Sequence, residues 1–184
     1  MSSPFSKNII FIDAEFTKLS AKGTKFLSIA LIEARSHLSR PCDSAGIPDR
    51  ELYLEIEVPD GEDIDPWVQE NVAPHMTEEK VTPEMAVEKI RGFVGDTRPF
   101  MVADVPAFDW MGICGMFGVF DVPFHYIPID FASILFSNGI DPDIDRERLS
   151  MSLGVEFQGE KHNALSDCRN LKNLYINLIE RIEK

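Results

Sequence analysis

Four consecutive apolar residues, Ile9, Ile10, Phe11 and Ile12, run directly into Asp13-Ala14-Glu15-Phe16, and no other stretch restricts the folding of this chain as tightly. A continuous apolar run suits a β-strand buried on both faces, which needs a packed layer on each side. The segment Asn8–Phe16 is therefore expected to be an interior strand. Its end is acidic, and the two-residue period of a strand places Asp13 and Glu15 on the same face of the sheet. Two carboxylates leaving a hydrophobic strand together repel each other unless something positive stands between them. Taken alone, the pair also fits a strand end whose acids simply turn into water.

The rest of the chain supplies the layers. Phe26–Ala34 follows the polar turn Lys18–Lys25 and reads as a hairpin partner of the first strand. Arg40–Arg50, with Pro41, Gly46 and Pro48, reads as a loop. Glu51–Val58 alternates Leu52, Leu54, Ile56 and Val58 with Glu or Tyr, the signature of a half-buried strand. Asp65–His75 is expected to be helical around Trp67–Val72. Thr82–Val94 is a clearer helix, with Pro83 in its first turn and Met85, Ile90, Phe93 and Val94 facing inward. A short strand at Phe100–Asp104, a helix at Phe108–Gly118 and a short strand at Tyr126–Asp130 follow. Asn163–Glu183 closes the chain as an amphipathic helix, with Leu165, Leu171, Leu174, Tyr175, Leu178, Ile179 and Ile182 at helical spacing. Antiparallel strands followed by alternating helix and strand describe an α/β fold, a mixed sheet flanked by helices. With 184 residues, 44% of them hydrophobic, one domain over residues 1–184 with one sizeable core is expected.

The formal charge is −13, from 31 acidic and 18 basic residues. Such a surface repels polyanions and argues against a duplex binder that ignores sequence. It leaves open a site that grips a short or single-stranded end through metal ions, because bound divalent cations invert the local charge logic. Cys42, Cys114 and Cys168 are far apart and odd in number, so neither a disulfide framework nor a zinc knuckle is expected. Met1–Lys7 lacks an apolar run and Ile9–Ile12 is too short for a leader or a membrane span. A cytoplasmic protein without membrane attachment is the expectation.

Two further segments carry acids. Asp109 follows the Phe100–Asp104 strand at the start of a helix, with Asp104 as a competitor for any role there. Asp167 falls in the first turns of the last helix, five residues after His162 in the segment His162-Asn163-Ala164-Leu165-Ser166-Asp167. Each acid has an ordinary explanation in the helix dipole, and His162 alone could be a solvated loop residue. Together they have a chemical logic. Asp13, Glu15, Asp109 and Asp167, drawn from three distant segments, can hold two hard divalent cations such as Mg²⁺ or Mn²⁺. Two such ions, roughly 3.5–4 Å apart, suit phosphodiester cleavage. A neutral His162 could accept a proton as general base.

FIDAEF, AFDW and HNALSD resemble, in order, the three exonuclease motifs of the DEDD superfamily, and the HxxxxD spacing is similar to that of its DEDDh branch. The resemblance implies a ribonuclease H-like fold and two-metal 3′→5′ hydrolysis releasing nucleoside monophosphates. Carried over by residue, Asp13 and Glu15 match the first motif, Asp109 the second, and His162 with Asp167 the third. It spans Ile9 to about Leu178, and the DAEF start and the WVQENVAP stretch look most similar to the small bacterial exoribonuclease group first described from mycobacteria. One departure is ADVPAFD, where many relatives have a His-Asn-Ala lead-in. Phe16 matches a position that in relatives packs near the terminal nucleotide, though it also fits a core residue. Asp130 is either a support for the site or a strand-end turn residue, and Trp67 and Trp110 are read as packing residues. The expected partner is the 3′ end of a single-stranded nucleic acid, RNA before DNA. The Met111–Phe124 region offers either a homodimer interface or core. A non-catalytic binding module of the same fold and a small-phosphodiester hydrolase are the competing readings.

Overall fold

In the computed structural model, which describes residues 8–20, 23–34 and 49–182, the apolar run becomes β1 (Ile9–Phe16), the centre of the sheet. Among the described residues five strands pair in the order β3-β2-β1-β4-β5. β2 (Phe26–Glu33) lies antiparallel to β1, with a register shift between Glu15 and Phe16. β3 (Arg50–Glu55) lies antiparallel to β2, while β4 (Phe100–Ala103) and β5 (Ile129–Asp130) are parallel additions on the other side. The expected mixed α/β sheet is the one observed. Cys42 and nearly all of the Arg40–Arg50 loop lie outside the described residues.

Why β1 has to be apolar on both faces is visible in the packing. Ile9 and Phe11 join Ala30, Ile32 and Val102 beneath α4 (Phe131–Ser137), α5 (Arg146–Leu153) and α6 (Ala164–Ile182). Ile10 and Ile12 join Ile29, Leu31 and Met101 beneath α2 (Pro83–Val94) and α3 (Ala107–Phe117). Two cores, one on each side of a single sheet, account for the loss of alternation along the strand. Asp13 and Glu15 continue the Ile9–Phe11 parity, so they leave the sheet on the α6 side.

The helices begin where local chemistry lets them. Thr82 caps α2 by accepting from the Met85 N–H at 3.3 Å, and Gly95 ends it with φ of 66°. Met85 does not face inward as expected. It is 46% exposed and Ala86 is buried in its place, because Ala86 is the residue four before Ile90 and so continues the buried stripe. The Asp65–His75 segment divides into α1 (Pro66–Asn71) and a single 3-10 turn at Ala73–His75. Pro74 removes an N–H and disfavours helical backbone at Ala73. β3 stops at Glu55; beyond it the Ile56 N–H still donates to the Leu27 carbonyl at 2.8 Å and Ile56 forms an isolated bridge to Val81. The expected strand at Tyr126–Asp130 shortens to Ile129–Asp130, because the Ile127 N–H turns back to His125 Nδ1 at 3.2 Å and Pro128 has no N–H for a ladder. Neither α4 nor α5 was anticipated: the charged Asp141–Arg148 run that leads into α5 masks its amphipathic pattern. The last helix forms as expected, except that Ile182 is exposed. Of the Met111–Phe124 region, Ile113, Phe117, Val122 and Phe124 are core, while Val119 and Phe120 are exposed. No described helix is long and apolar enough to cross a membrane.

One glycine couples the α2–α3 layer to the sheet. A Cβ at Gly112 would stand 2.3 Å from the Phe26 ring, and that ring is buried. Gly112→Ala is expected to destabilise the fold by about 1–3 kcal/mol, the usual cost of overpacking, as a lower midpoint in denaturant unfolding. An unchanged midpoint would show that α3 can move off the sheet freely.

Candidate active site

β1 delivers Asp13 and Glu15 to the sheet end, and the first turn of α6 delivers Asp167. One carboxylate oxygen from each lies within 4.8 Å of the others. Asp109 enters from the first turn of α3, buried at 9% exposure. It stands outside that tightest group, but its charge acts on both Asp13 and Glu15. The structure thus brings together the four acids expected from three distant segments.

Crowding and burial set their protonation. Burial first, then the charges of Asp109, Asp167, Glu15 and Asp104, hold the Asp13 carboxyl well above the usual range. Burial, then Asp167 and Asp109, push Glu15 up to about 7. Asp109 rises to about 7, chiefly by burial, against the opposing pull of a backbone hydrogen bond. Asp167 rises to about 6 by burial, tempered by the backbone N–H groups of His162 and Asn163. Among the described residues no ion pair reaches Asp13, Glu15 or Asp109. Oxygen donors crowded at this density, three of them with no ion-pair partner, fit hard divalent cations, Mg²⁺ or Mn²⁺.

His162 is held over this cluster by its backbone. Its N–H donates to Asp167 Oδ2 at 2.9 Å, and its φ of 62° is left-handed, a conformation uncommon outside glycine. The approach requires Gly159, where a Cβ would fall 2.3 Å from Ser166 Oγ. The ring meets Trp67 edge-on at 4.8 Å. Partial burial, then the nearby His75 and Lys161, lower the imidazole pKa and favour the neutral base. A cavity of about 410 Å³ opens here, lined by Asp13, Asp104, Arg146, Lys161, His162 and Asp167 among others.

Other expected residues fall elsewhere. Phe16 is 8% exposed, its ring packed on Phe26 at 5.1 Å and Phe108 at 6.4 Å. It is a core residue on the α2–α3 side of the sheet, so stacking on a terminal base would need that ring uncovered. Asp130 caps α4 instead of supporting the site. Trp110 packs beside the α2–α3 core. Trp67, read as a packing residue, is 50% exposed and sits against His162. Arg146 and Lys161 belong to no motif of the sequence, and the one signal pointing to Arg146 is Asp104, an acid just beyond β4 that calls for a cationic partner.

No family model matches the chain, and no curated protein sequence matches it. Solved structures do. The nuclease domain of 3'hExo, a DEDDh family member bound to rAMP, is 11% identical with a TM-score of 0.67, over 95% of this chain and 92% of that one. Pop2p from S. pombe, in a form with Mg²⁺ and Mn²⁺ bound, is 12% identical with a TM-score of 0.71, over 95% and 84%. E. coli Exonuclease I in complex with a dT13 oligonucleotide is 12% identical with a TM-score of 0.69, and this chain spans only 41% of it. At such identities the likeness is one of architecture, and the chain has the ribonuclease H-like fold of these exonuclease structures.

Proposed function

We propose that this protein is a metal-dependent 3′→5′ exonuclease that removes nucleoside 5′-monophosphates from single-stranded ends, RNA before DNA. The observation that carries the reading is the convergence of Asp13, Glu15, Asp109 and Asp167 on one end of the sheet, with His162 bonded to the last of them. The four carboxylates would hold two divalent cations, whose charge would stabilise the attacking and leaving oxygens of the phosphodiester. The protein's own groups do the rest. His162, kept neutral, accepts the proton of the attacking water. The rigid ends of β1, α3 and α6 fix the acids so that little reorganisation is needed when charge develops. Within this reading, the bacterial exoribonuclease group named from the motifs is the assignment we propose.

The acidic surface sets the footprint. With a formal charge of −13, backbone contacts should be confined to the last few nucleotides. Log affinity should then fall with log salt at roughly 0.7 per contacted phosphate, giving a slope of about −1 to −2. Fluorescence anisotropy of a labelled oligonucleotide with the ions held constant measures it, and a slope near −5 would contradict a short footprint.

The activity itself is tested with 5′-labelled single-stranded RNA and DNA, Mg²⁺ or Mn²⁺, and wild type beside Asp13→Ala. A metal-dependent ladder shortening from the 3′ end, absent in the variant, is the expected result. Absence of cleavage of both polymers with either ion would overturn the reading.

A further inference from the structure

Asp104, the first residue after β4, lines the same cavity as Asp13 and Asp167 and adds its charge to Asp13, Asp109 and Asp167. It is answered from 42 residues away. Arg146 Nε donates to Asp104 Oδ2 at 2.8 Å and Nη2 donates to Oδ1 at 2.7 Å. The same guanidinium donates to the carbonyls of Ile144 at 2.6 Å and Pro142 at 3.1 Å. Four of the five N–H donors of an arginine are thereby committed to the protein. A guanidinium tied down in this way is a strut, not a cation waiting for a phosphate. Its planar two-point contact is a geometry that lysine cannot reproduce.

The strut ends at the residue that starts α5. Its neighbour Asp145 caps that helix through the N–H groups of Glu147 at 3.0 Å and Arg148 at 3.2 Å, and also accepts from Lys161 Nζ at 3.3 Å. Lys161 reaches Glu147 as well, at 3.1 Å. The residue after Lys161 is His162. α6 holds this loop on its other side, where Asn170 exchanges two hydrogen bonds with the backbone of Gln158 and Asp167 accepts from the His162 N–H. The Lys161 contacts are exposed and individually weak, but both run to the start of α5, so on this side the loop takes its position from where α5 begins.

We propose that Arg146 is a positioning residue: anchored on Asp104, it fixes the start of α5 and, through Asp145 and Lys161, the seat of His162 over the carboxylates. Its kinetic consequence rests on the exonuclease reading, whereas its structural consequence does not.

The test uses the full chain with Arg146→Ala, Arg146→Lys and the pair Asp104→Asn/Arg146→Ala. Trp67 and Trp110 are the two tryptophans, so in a Trp110→Phe background the emission of Trp67 reports its contact with His162, with His162→Ala as the reference. Arg146→Ala is expected to move that emission in the direction of His162→Ala. It should also lower kcat by about 10–100-fold, the usual cost of losing an outer partner of a site, with KM within about threefold. Arg146→Lys should fall between. The double variant should remain impaired, because the strut is gone although the charges balance. Recovery of the double variant to wild-type kcat would mean that Arg146 merely cancels Asp104, and would overturn the proposal. So would an emission unchanged by Arg146→Ala, whatever the rate. If Arg146→Ala does not fold, Arg146→Lys decides by the same two readouts. If wild type hydrolyses nothing, the exonuclease reading fails and the emission alone decides the positioning role.

Discussion

Asp13→Asn is expected to abolish hydrolysis and, in metal-free protein, to raise the unfolding midpoint. The two effects have one cause. Asp13 is half-buried beside Asp109, Asp167, Glu15 and Asp104, all of which disfavour its charge, and no ion pair reaches it among the described residues. An amide of the same shape has no charge to suppress in this crowded place and can donate to the carboxylates that remain. A relief of only about 1 kcal/mol would raise the midpoint by roughly 2–4 °C in a chain of this size. On the proposed function the same substitution would remove a cation ligand, so the rate should fall by more than the roughly 10–100-fold typical of an outer partner. Calorimetry in chelator, with the hydrolysis assay beside it, measures both. A lower midpoint for the variant without metal would mean that Asp13 is held by favourable contacts, and the tension ascribed to the site would be wrong.

The second large effect is a reversal of pH dependence by divalent cations. The folded state raises Glu15 from 4.5 to about 7, Asp109 from 3.8 to about 7 and Asp167 from 3.8 to about 6. An acid with a raised folded pKa gives stability that is fully present below its unfolded value and is lost as pH climbs through the folded value. Each tenfold change in proton affinity corresponds to about 1.4 kcal/mol. His162 has the opposite sign, since its pKa is lowered, but it is one partly buried group against four raised acids, Asp13 included. Metal-free protein should therefore lose stability between about pH 4 and pH 7. If these acids form the proposed metal site, millimolar Mn²⁺ or Mg²⁺ would bind them deprotonated and stabilise the fold by mass action, so the midpoint should stop falling, or rise, above about pH 6. Thermal unfolding at several pH values, with chelator and with ion, measures the difference. Midpoints that climb from pH 5 to pH 8 in chelator, or that ignore the ion at pH 8, would refute the assignment of these acids as a metal site.

Much of the site was legible because its parts are local. The β1 run announces a doubly covered strand by its lack of alternation, and the two-residue period then forces Asp13 and Glu15 onto one face. Ala164, fully buried where α6 begins, and the amphipathic pattern behind it place Asp167 just as locally. The misreadings share a cause as well. Hydrophobicity points Met85 inward, whereas phase along the helix favours the smaller Ala86. Of the two readings that the sequence leaves for Phe16, the packing of its ring on Phe26 and Phe108 fits the core one. α5 is hidden in the sequence because the charges at Asp145, Arg146 and Glu147, which cap the helix, tie it to Asp104 and pair with Lys161, look there like solvated loop.

By itself, then, the sequence determined the mixed sheet, the central strand, the long last helix and the acids, since each is set by periodicity or chemistry within one segment. Only the tertiary structure decided which long-range partners those residues meet: Arg146 on Asp104, Trp67 on His162, and Glu55, 1% exposed, accepting from the backbone of Thr77 and Glu78. The physical reason is that periodicity reports which face of an element is buried, whereas the partner of a buried charge or ring depends on the path of the whole chain, which no local pattern encodes.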